Sequence, residues 1–243
     1  LFGLQAFGNI YTRITNPTTG VFEERVAALE GGTAALGVAS GHAAEFLTFH
    51  TLMQSGDEFI ASNKLYGGSI NQFNHSYKNF GWTPKWADPD DLGSFEAAIT
   101  PRTKAIFIES LANPGGIVCD IEAIARIARQ ARVPLIVDNT LATPYLTRPF
   151  EHGADIVVHS ATKFLGGHGN SIGGVIVDGG QAPKGLGLLV ATEMLEQSRK
   201  QHARLAAGRR SASALRPGPA RRGLQSAAAG RTPAAGHANC RTS

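Results

Sequence analysis

Through the first 180 residues, short runs rich in Val and Ile alternate with stretches of helical period, and this alternation restricts the fold more than any other feature of the chain. AIFIES (105–110), PLIVDN (134–139) and DIVVHS (155–160) have the length and β-branched content of buried strands. Between the first two lies DIEAIARIARQAR, where Asp120 is placed to cap a helix and Ile121, Ile124, Ala125 and Ala128 share one face. Upstream, EERVAALEGG reads as a helix stopped by Gly31 and Gly32, LGVAS as a strand, HAAEFLTFHTLMQSG as a helix and FIASN as a strand; VIVD follows near residue 175. Strand, helix, strand in this order predicts an α/β fold with a mostly parallel sheet flanked by helices. Ligands in such sheets bind beyond the carboxyl ends of the strands.

The formal charge of +4 conceals two regions. Residues 181–243 hold 11 Lys and Arg against 2 Glu, so residues 1–180 hold 12 basic against 17 acidic side chains. The basic part is rich in Ala, Gly and Arg and has no Phe, Trp or Tyr. Its first section, KGLGLLVATEMLEQSRKQHARLAAG, has the pattern of one amphipathic helix, and the remainder is expected to stay disordered because it cannot bury enough apolar surface. Lacking stacking aromatics or a recognisable module, it is not read as a nucleic-acid site. No apolar run has membrane-spanning length. Cys119 and Cys240 are far apart and form no metal-ligand pattern, which predicts no metal and a reducing, cytoplasmic setting. The chain opens without Met on LFGLQAFGNIY, which suggests that residues precede it. The expected organisation is therefore a large domain over 1–180, incomplete at its N-terminus, and a basic tail over 181–243.

The strand ends carry the chemistry. Ser40-Gly41-His42 open a helix, Glu109 and Ser110 close one strand, Asp138-Asn139-Thr140 another, and HSATKFLGGHG places Ser160, Thr162 and Lys163 after a third. All are expected in one cleft. A helix N-terminus with small hydroxyls suits a phosphate; a carboxylate, an amine and the ring of Tyr66 complete what pyridoxal phosphate requires. Other classes fit less well. Gly169-Asn170-Ser171-Ile172-Gly173 matches GxSxG, but a glycine loop precedes it and a strand follows, the reverse of a hydrolase elbow. No phosphate-loop glycine motif occurs in 159–180. His159 and His168 lack neighbouring acidic or thiol ligands and read as hydrogen-bonding residues.

YTRITNPTTGVFEERVAALEGG, SGHAAEF, LYGG, VPLIVDNTLATPYL, RPFEHGADIVVHSATKFLGGHG and IGGVIVDGG closely resemble the Cys/Met-metabolism family of pyridoxal-phosphate enzymes, most of all its O-acetylhomoserine sulfhydrylase branch. The resemblance covers roughly residues 1–180. It implies the large cofactor domain of an aspartate-aminotransferase-like (fold type I) enzyme. It also implies that Lys163 is the Schiff-base lysine, Asp138 the partner of the pyridine nitrogen and Tyr66 the stacking ring. Ser40, Gly41 and His42 would serve the phosphate through the helix start, Ser160 and Thr162 through hydroxyls. Thr140 joins the cofactor set, and Asn113 matches a residue near the ring's 3-oxygen. Tyr11 and Arg13 match an element that reaches the phosphate of the neighbouring subunit, so a dimer is the minimum unit and a tetramer is expected.

The implied reaction, a step of transsulfuration and methionine biosynthesis, is γ-replacement on O-acetyl-L-homoserine by sulfide, giving L-homocysteine and acetate, with Lys163 as the base at the α-carbon. Cystathionine synthase or lyase activity and methionine γ-lyase activity, from the same family, stay open. His42 departs from the Gln or Met of many relatives. Family members continue into a smaller C-terminal domain with an arginine for the substrate carboxylate, and nothing after about residue 180 resembles it. The expectation is a truncated or frame-shifted chain, for which a catalytically inactive fragment is the strongest rival reading.

Overall fold

The computed structural model describes residues 9, 11, 12 and 16–180; the expected tail helix, the remainder of the tail and Arg13 lie outside them. Helix α1 (Pro17–Glu30) starts where Asn16 accepts hydrogen bonds from the N–H groups of Thr18 and Thr19. It stops at Gly31, whose φ of 77° suits a residue without a side chain. Strand β1 (Ala34–Val38) follows, two residues earlier than the apolar run predicts, because Ser40 leaves the strand to cap α2 (Gly41–Leu52). Next come β2 (Glu58–Ser62), the short helix α3 (Gly67–Asn71) with π and 3-10 turns to Phe80, β3 (Thr83–Ala87) and α4 (Leu92–Ala98).

The second half is β4 (Thr103–Glu109), α5 (Ile121–Ala131), β5 (Leu135–Asp138), α6 (Thr143–Leu146), a 3-10 turn over Pro149–His152, β6 (Ile156–His159) and β7 (Gly174–Asp178). Asp120 caps α5 as its sequence predicts, through the Ala123 N–H. Its buried side is wider than predicted, adding Ala123 and Ile127 to the expected four.

The strands make one sheet in the order β1-β7-β6-β5-β4-β2-β3. β3 to β6 run parallel through β2, β4 and β5, while β7 is antiparallel to both β1 and β6. Sequence periodicity misses β3 because it contains Pro84 and is only partly buried, and both are tolerated at a sheet edge.

Two cores cover the sheet. On one face Val26 and Ala27 of α1 and the apolar side of α5 pack on Ile106, Ile108, Leu135, Val137, Val157 and Val175. On the other, Phe49 and Leu52 of α2 pack with Phe59, Phe73, Tyr77, Phe107, Ile136, Ile156 and Val158. The Phe49 and Phe59 rings lie 4.4 Å apart, a contact type worth about 1 kcal/mol beyond its buried area. Because neighbouring strand residues point to opposite faces, Glu109, Asp138 and Ser160 follow the α2 side, and Ser110, Asn139 and His159 the α1 side. This alternation decides which strand-end groups share a site.

Candidate functional site

The site is built around the first turn of α2. Ser40 accepts from Ala43 N–H at 3.1 Å through its hydroxyl and from Ala44 N–H through its carbonyl. Among the described residues, no hydrogen bond uses the N–H of Gly41 or His42, so both remain for an incoming acceptor. This turn is wedged against the sheet. A Cβ on Gly41 would meet Ser160 Cβ at 2.7 Å, and one on Gly174 would meet the Ser40 carbonyl oxygen at 2.1 Å. Both glycines therefore let α2 approach the β6 end and the β7 start.

Thr140 joins the ends of β5 and β6. Its N–H donates to Asp138 Oδ1 at 2.8 Å, and its hydroxyl accepts from the Ser160 N–H at 2.8 Å. The Ser160 hydroxyl makes no hydrogen bond among the described residues. Thr162 differs: its hydroxyl donates to the Gly173 carbonyl and accepts from the Gly173 N–H, both at 3.1 Å. Its hydrogen is already used inside the chain, where the sequence assigned it to a phosphate. Lys163 is exposed on the turn that follows, held by its N–H to the Ser160 carbonyl and by its carbonyl to the Gly167 N–H. Its amine pairs with no carboxylate among the described residues.

Tyr66 and His42 stack with ring centroids 5.9 Å apart. Gly68 makes room for them, since a Cβ there would lie 2.3 Å from Tyr66 and 2.8 Å from His42. The loops of Tyr66 and Asn113 are joined by one carboxylate: Glu109 accepts from Tyr66 N–H at 2.6 Å and from Asn113 N–H at 3.0 Å. Glu45, one turn into α2, accepts from the Ser69 hydroxyl at 2.7 Å, and its second oxygen is buried without a partner.

Glu45, Glu109 and Asp138 thus gather without an ion-paired cation among the described residues. Burial pushes Glu109 up to about 7, with the Asp138 charge adding to it. Burial and then Asp138 push Glu45 well above the usual carboxylate range. Asp138 is also raised by burial, against the pull of Thr140, His159 and His42. Glu109 is among the strand-end groups that the sequence places in this cleft, whereas Glu45 is not; its signal is a lone acid inside the apolar helical stretch HAAEFLTF.

Ser110 and Asn139 do not enter this cleft, contrary to expectation. They bond each other at 2.7 Å on the opposite face, because each is one residue beyond an inward-facing acid. His159 is a hydrogen-bonding residue, as expected, 2.6 Å from Glu30. Tyr11 is exposed. Ser171 lies on an exposed loop, its hydroxyl donating to Asn170, without the strand-turn-helix that a nucleophile elbow needs. Ser110 instead lines a separate hollow with Cys119, Ala142, Leu146 and His152.

The donor set fits pyridoxal phosphate. Free helix N–H groups and the Ser160 hydroxyl match the phosphate, and an excess of buried carboxylates matches a cationic ring nitrogen. Lys163 offers the amine. These elements are those of a fold type I, aspartate-aminotransferase-like large domain.

The comparisons agree. Residues 2–193 match the Cys/Met metabolism PLP-dependent enzymes, and the chain belongs to that family. It is 56% identical over 182 residues to a sulfhydrylase, FUB7, of Gibberella moniliformis, covering 74% of this chain and 42% of that protein. It is 52% identical over 180 residues to an O-acetyl-L-homoserine sulfhydrylase of Leptospira meyeri, covering 74% and 41%. The solved structure of an O-acetylhomoserine (thiol)-lyase from Campylobacter jejuni superimposes with a TM-score of 0.70 at 47% identity, over 73% of this chain and 44% of that one. That structure holds a pyridoxyl-lysine monophosphate. The chain spans about two fifths of the length of the curated relatives it matches.

Proposed function

We propose that residues 1–180 are the pyridoxal-phosphate-binding large domain of an O-acetyl-L-homoserine sulfhydrylase that works as a homo-oligomer of at least two subunits. The observation that carries this is the meeting of an open helix N-terminus, the Ser160 hydroxyl, the Asp138 carboxylate and the Lys163 turn on one edge of the sheet. Identity near one half with named sulfhydrylases supports the choice of reaction.

In this reading pyridoxal phosphate, linked through Lys163, supplies an electron sink for the substrate's α-carbon. Gly41 and His42 N–H groups and the Ser160 hydroxyl hold its phosphate. Asp138, fixed by Thr140, keeps the ring nitrogen protonated through a charge-assisted hydrogen bond. Tyr66 and Asn113 would flank the ring, and Glu109 anchors both of their loops. The Lys163 amine would take the proton from the α-carbon and return it before the product leaves. In the net reaction the bond between the γ-carbon and the ester oxygen breaks and acetate leaves with the bonding pair. Sulfide forms the new bond to carbon, giving L-homocysteine. A contribution of Tyr11 and Arg13 to the neighbouring subunit's phosphate, a tetramer and a cytoplasmic setting are part of the same proposal.

The test is a visible absorbance spectrum of purified chain with added pyridoxal phosphate, followed by borohydride, and an assay of homocysteine from O-acetyl-L-homoserine and sulfide. Colour that borohydride bleaches, with homocysteine formed, is the expected result. A chain that stays colourless overturns the cofactor assignment; a coloured chain that makes no homocysteine overturns the activity assignment.

A further inference from the structure

Behind the cofactor face, the same strand ends carry a second polar cluster. Glu30, the last residue of α1, is fully buried with Asn139 and His159. Its Oε1 lies 2.6 Å from His159 Nε2 and accepts from Asn139 Nδ2 at 3.0 Å. Asn139 Nδ2 also donates to the Thr147 carbonyl, and Asn139 Oδ1 accepts from the Ser110 hydroxyl at 2.7 Å. Glu30 Oε2 and His159 Nδ1 are buried without partners. Leaving such atoms buried without a partner is costly, so the arrangement is not what stability alone would select.

Its placement supplies a reason. Ser110 follows Glu109, Asn139 follows Asp138 and His159 precedes Ser160 in the chain. Each residue that faces the candidate site is therefore bonded covalently to one that points backward into the Glu30 cluster. The backbone ladders pair Glu109 with Asp138 and Asp138 with Val158, and the Ser110 and Asn139 N–H groups donate to the Asp138 and Val158 carbonyls; the cluster adds side-chain ties behind these last pairs and brings in His159, one residue before Ser160.

We propose that Glu30 is a positioning residue for the site, its carboxylate oxygen fixing the lateral spacing of the three strand ends so that Glu109, Asp138 and Ser160 meet the ligand together. Asn139 and His159 are held directly, and Ser110 through Asn139. The inference deepens the pyridoxal phosphate reading and rests on it for the ligand's identity, but the alignment itself is a property of the cofactor-free chain.

The experiment compares Glu30→Gln, which keeps an acceptor at Oε1, with Glu30→Leu, which keeps bulk and removes the acceptor. In the full chain without cofactor, the amide signals of Thr140 and Ser160 report the two front-face hydrogen bonds by NMR. Glu30→Leu should shift both signals and weaken pyridoxal phosphate binding by at least about ten-fold, the scale expected from small misplacement of site groups. Glu30→Gln should restore both. Unmoved signals with unchanged affinity in Glu30→Leu overturn the proposal, as does a Glu30→Gln chain impaired as much as Glu30→Leu. Should Glu30→Leu fail to fold, Ser110→Ala removes only the outer link. It should then shift the Tyr66 and Asn113 amides that Glu109 holds, and their remaining in place overturns the proposal. A parent chain that takes up no pyridoxal phosphate refutes the cofactor reading, while the amide comparison still decides the alignment.

Discussion

Two edges of the same sheet treat buried carboxylates in opposite ways. At the amino end of β2, Glu58 is buried but met from several sides: Thr100 donates to it at 2.6 Å, Arg102 pairs with it and Lys85 lies 3.6 Å away. The Thr100 hydrogen bond, with help from the two cations, holds its carboxyl below the ordinary range despite burial. At the carboxyl ends of β4 and β5, Glu109 and Asp138 face Glu45, receive only neutral donors and are all raised. The amino edge is balanced within the chain. The carboxyl edge is left in deficit of positive charge, as in sites that trade stability for function. A cationic ring beside Asp138 would correct that deficit.

The largest effect that could break this contrast is covalent. If only the carboxyl edge takes a ligand, treatment with pyridoxal phosphate and borohydride should attach a pyridoxyl group at Lys163, and Lys163→Ala should abolish it. Lys85→Ala, at the amino edge, should leave the attachment intact. Peptide mass mapping reads both outcomes, and a label that persists in Lys163→Ala would remove that residue from its role.

The next effect is on stability and its pH dependence. Glu109 is raised from 4.5 to about 7, so between these values the folded chain keeps a proton that the unfolded chain has released. Stability from this group is fully present below about 4.5 and is lost as pH rises through about 7. The loss is of order 3 kcal/mol, at 1.36 kcal/mol for each unit. Denaturant unfolding of the cofactor-free chain at pH 5 and pH 8 should show this fall, and Glu109→Gln should flatten it. Equal slopes in parent and variant would place the uncompensated charge elsewhere.

Much of this edge is legible in the sequence, for identifiable reasons. Lys163, Asp138 and the Ser40 cap stand at the ends of β-branched runs or at a helix start, where pattern and position coincide. Direction is harder to read, because one residue along a strand reverses the face. Position in the chain groups Ser110 and Asn139 with Glu109 and Asp138, but the alternation puts them behind. Thr162 shows a different limit: its hydroxyl is engaged by Gly173, eleven residues away, through a turn that no local period reveals. Glu45 carries no motif of its own, and only the packing of α2 on the sheet brings it to Asp138.

The smallest predicted effect is the most discriminating, because one kind of substitution should act with opposite sign at the two edges. Asp138→Asn keeps an acceptor for the Thr140 N–H but removes the charge that raises Glu45 and Glu109. In the cofactor-free chain at pH 8 it should therefore stabilise by about 1 kcal/mol, the scale of two unit charges ~4 Å apart in a water-like dielectric. Glu58→Gln removes the partner of Arg102, largely in solvent, and of Lys85, partly so, and should destabilise by about 1 kcal/mol. Adding pyridoxal phosphate should reverse the order for Asp138→Asn alone, since the variant forfeits the charged partner of the ring nitrogen and gains less stability from the cofactor than the parent does. Denaturation midpoints of the three chains, with and without cofactor, decide the matter. Destabilisation by Asp138→Asn in the absence of cofactor would mean that the carboxyl edge is already balanced within the chain, and the contrast between the edges would fall.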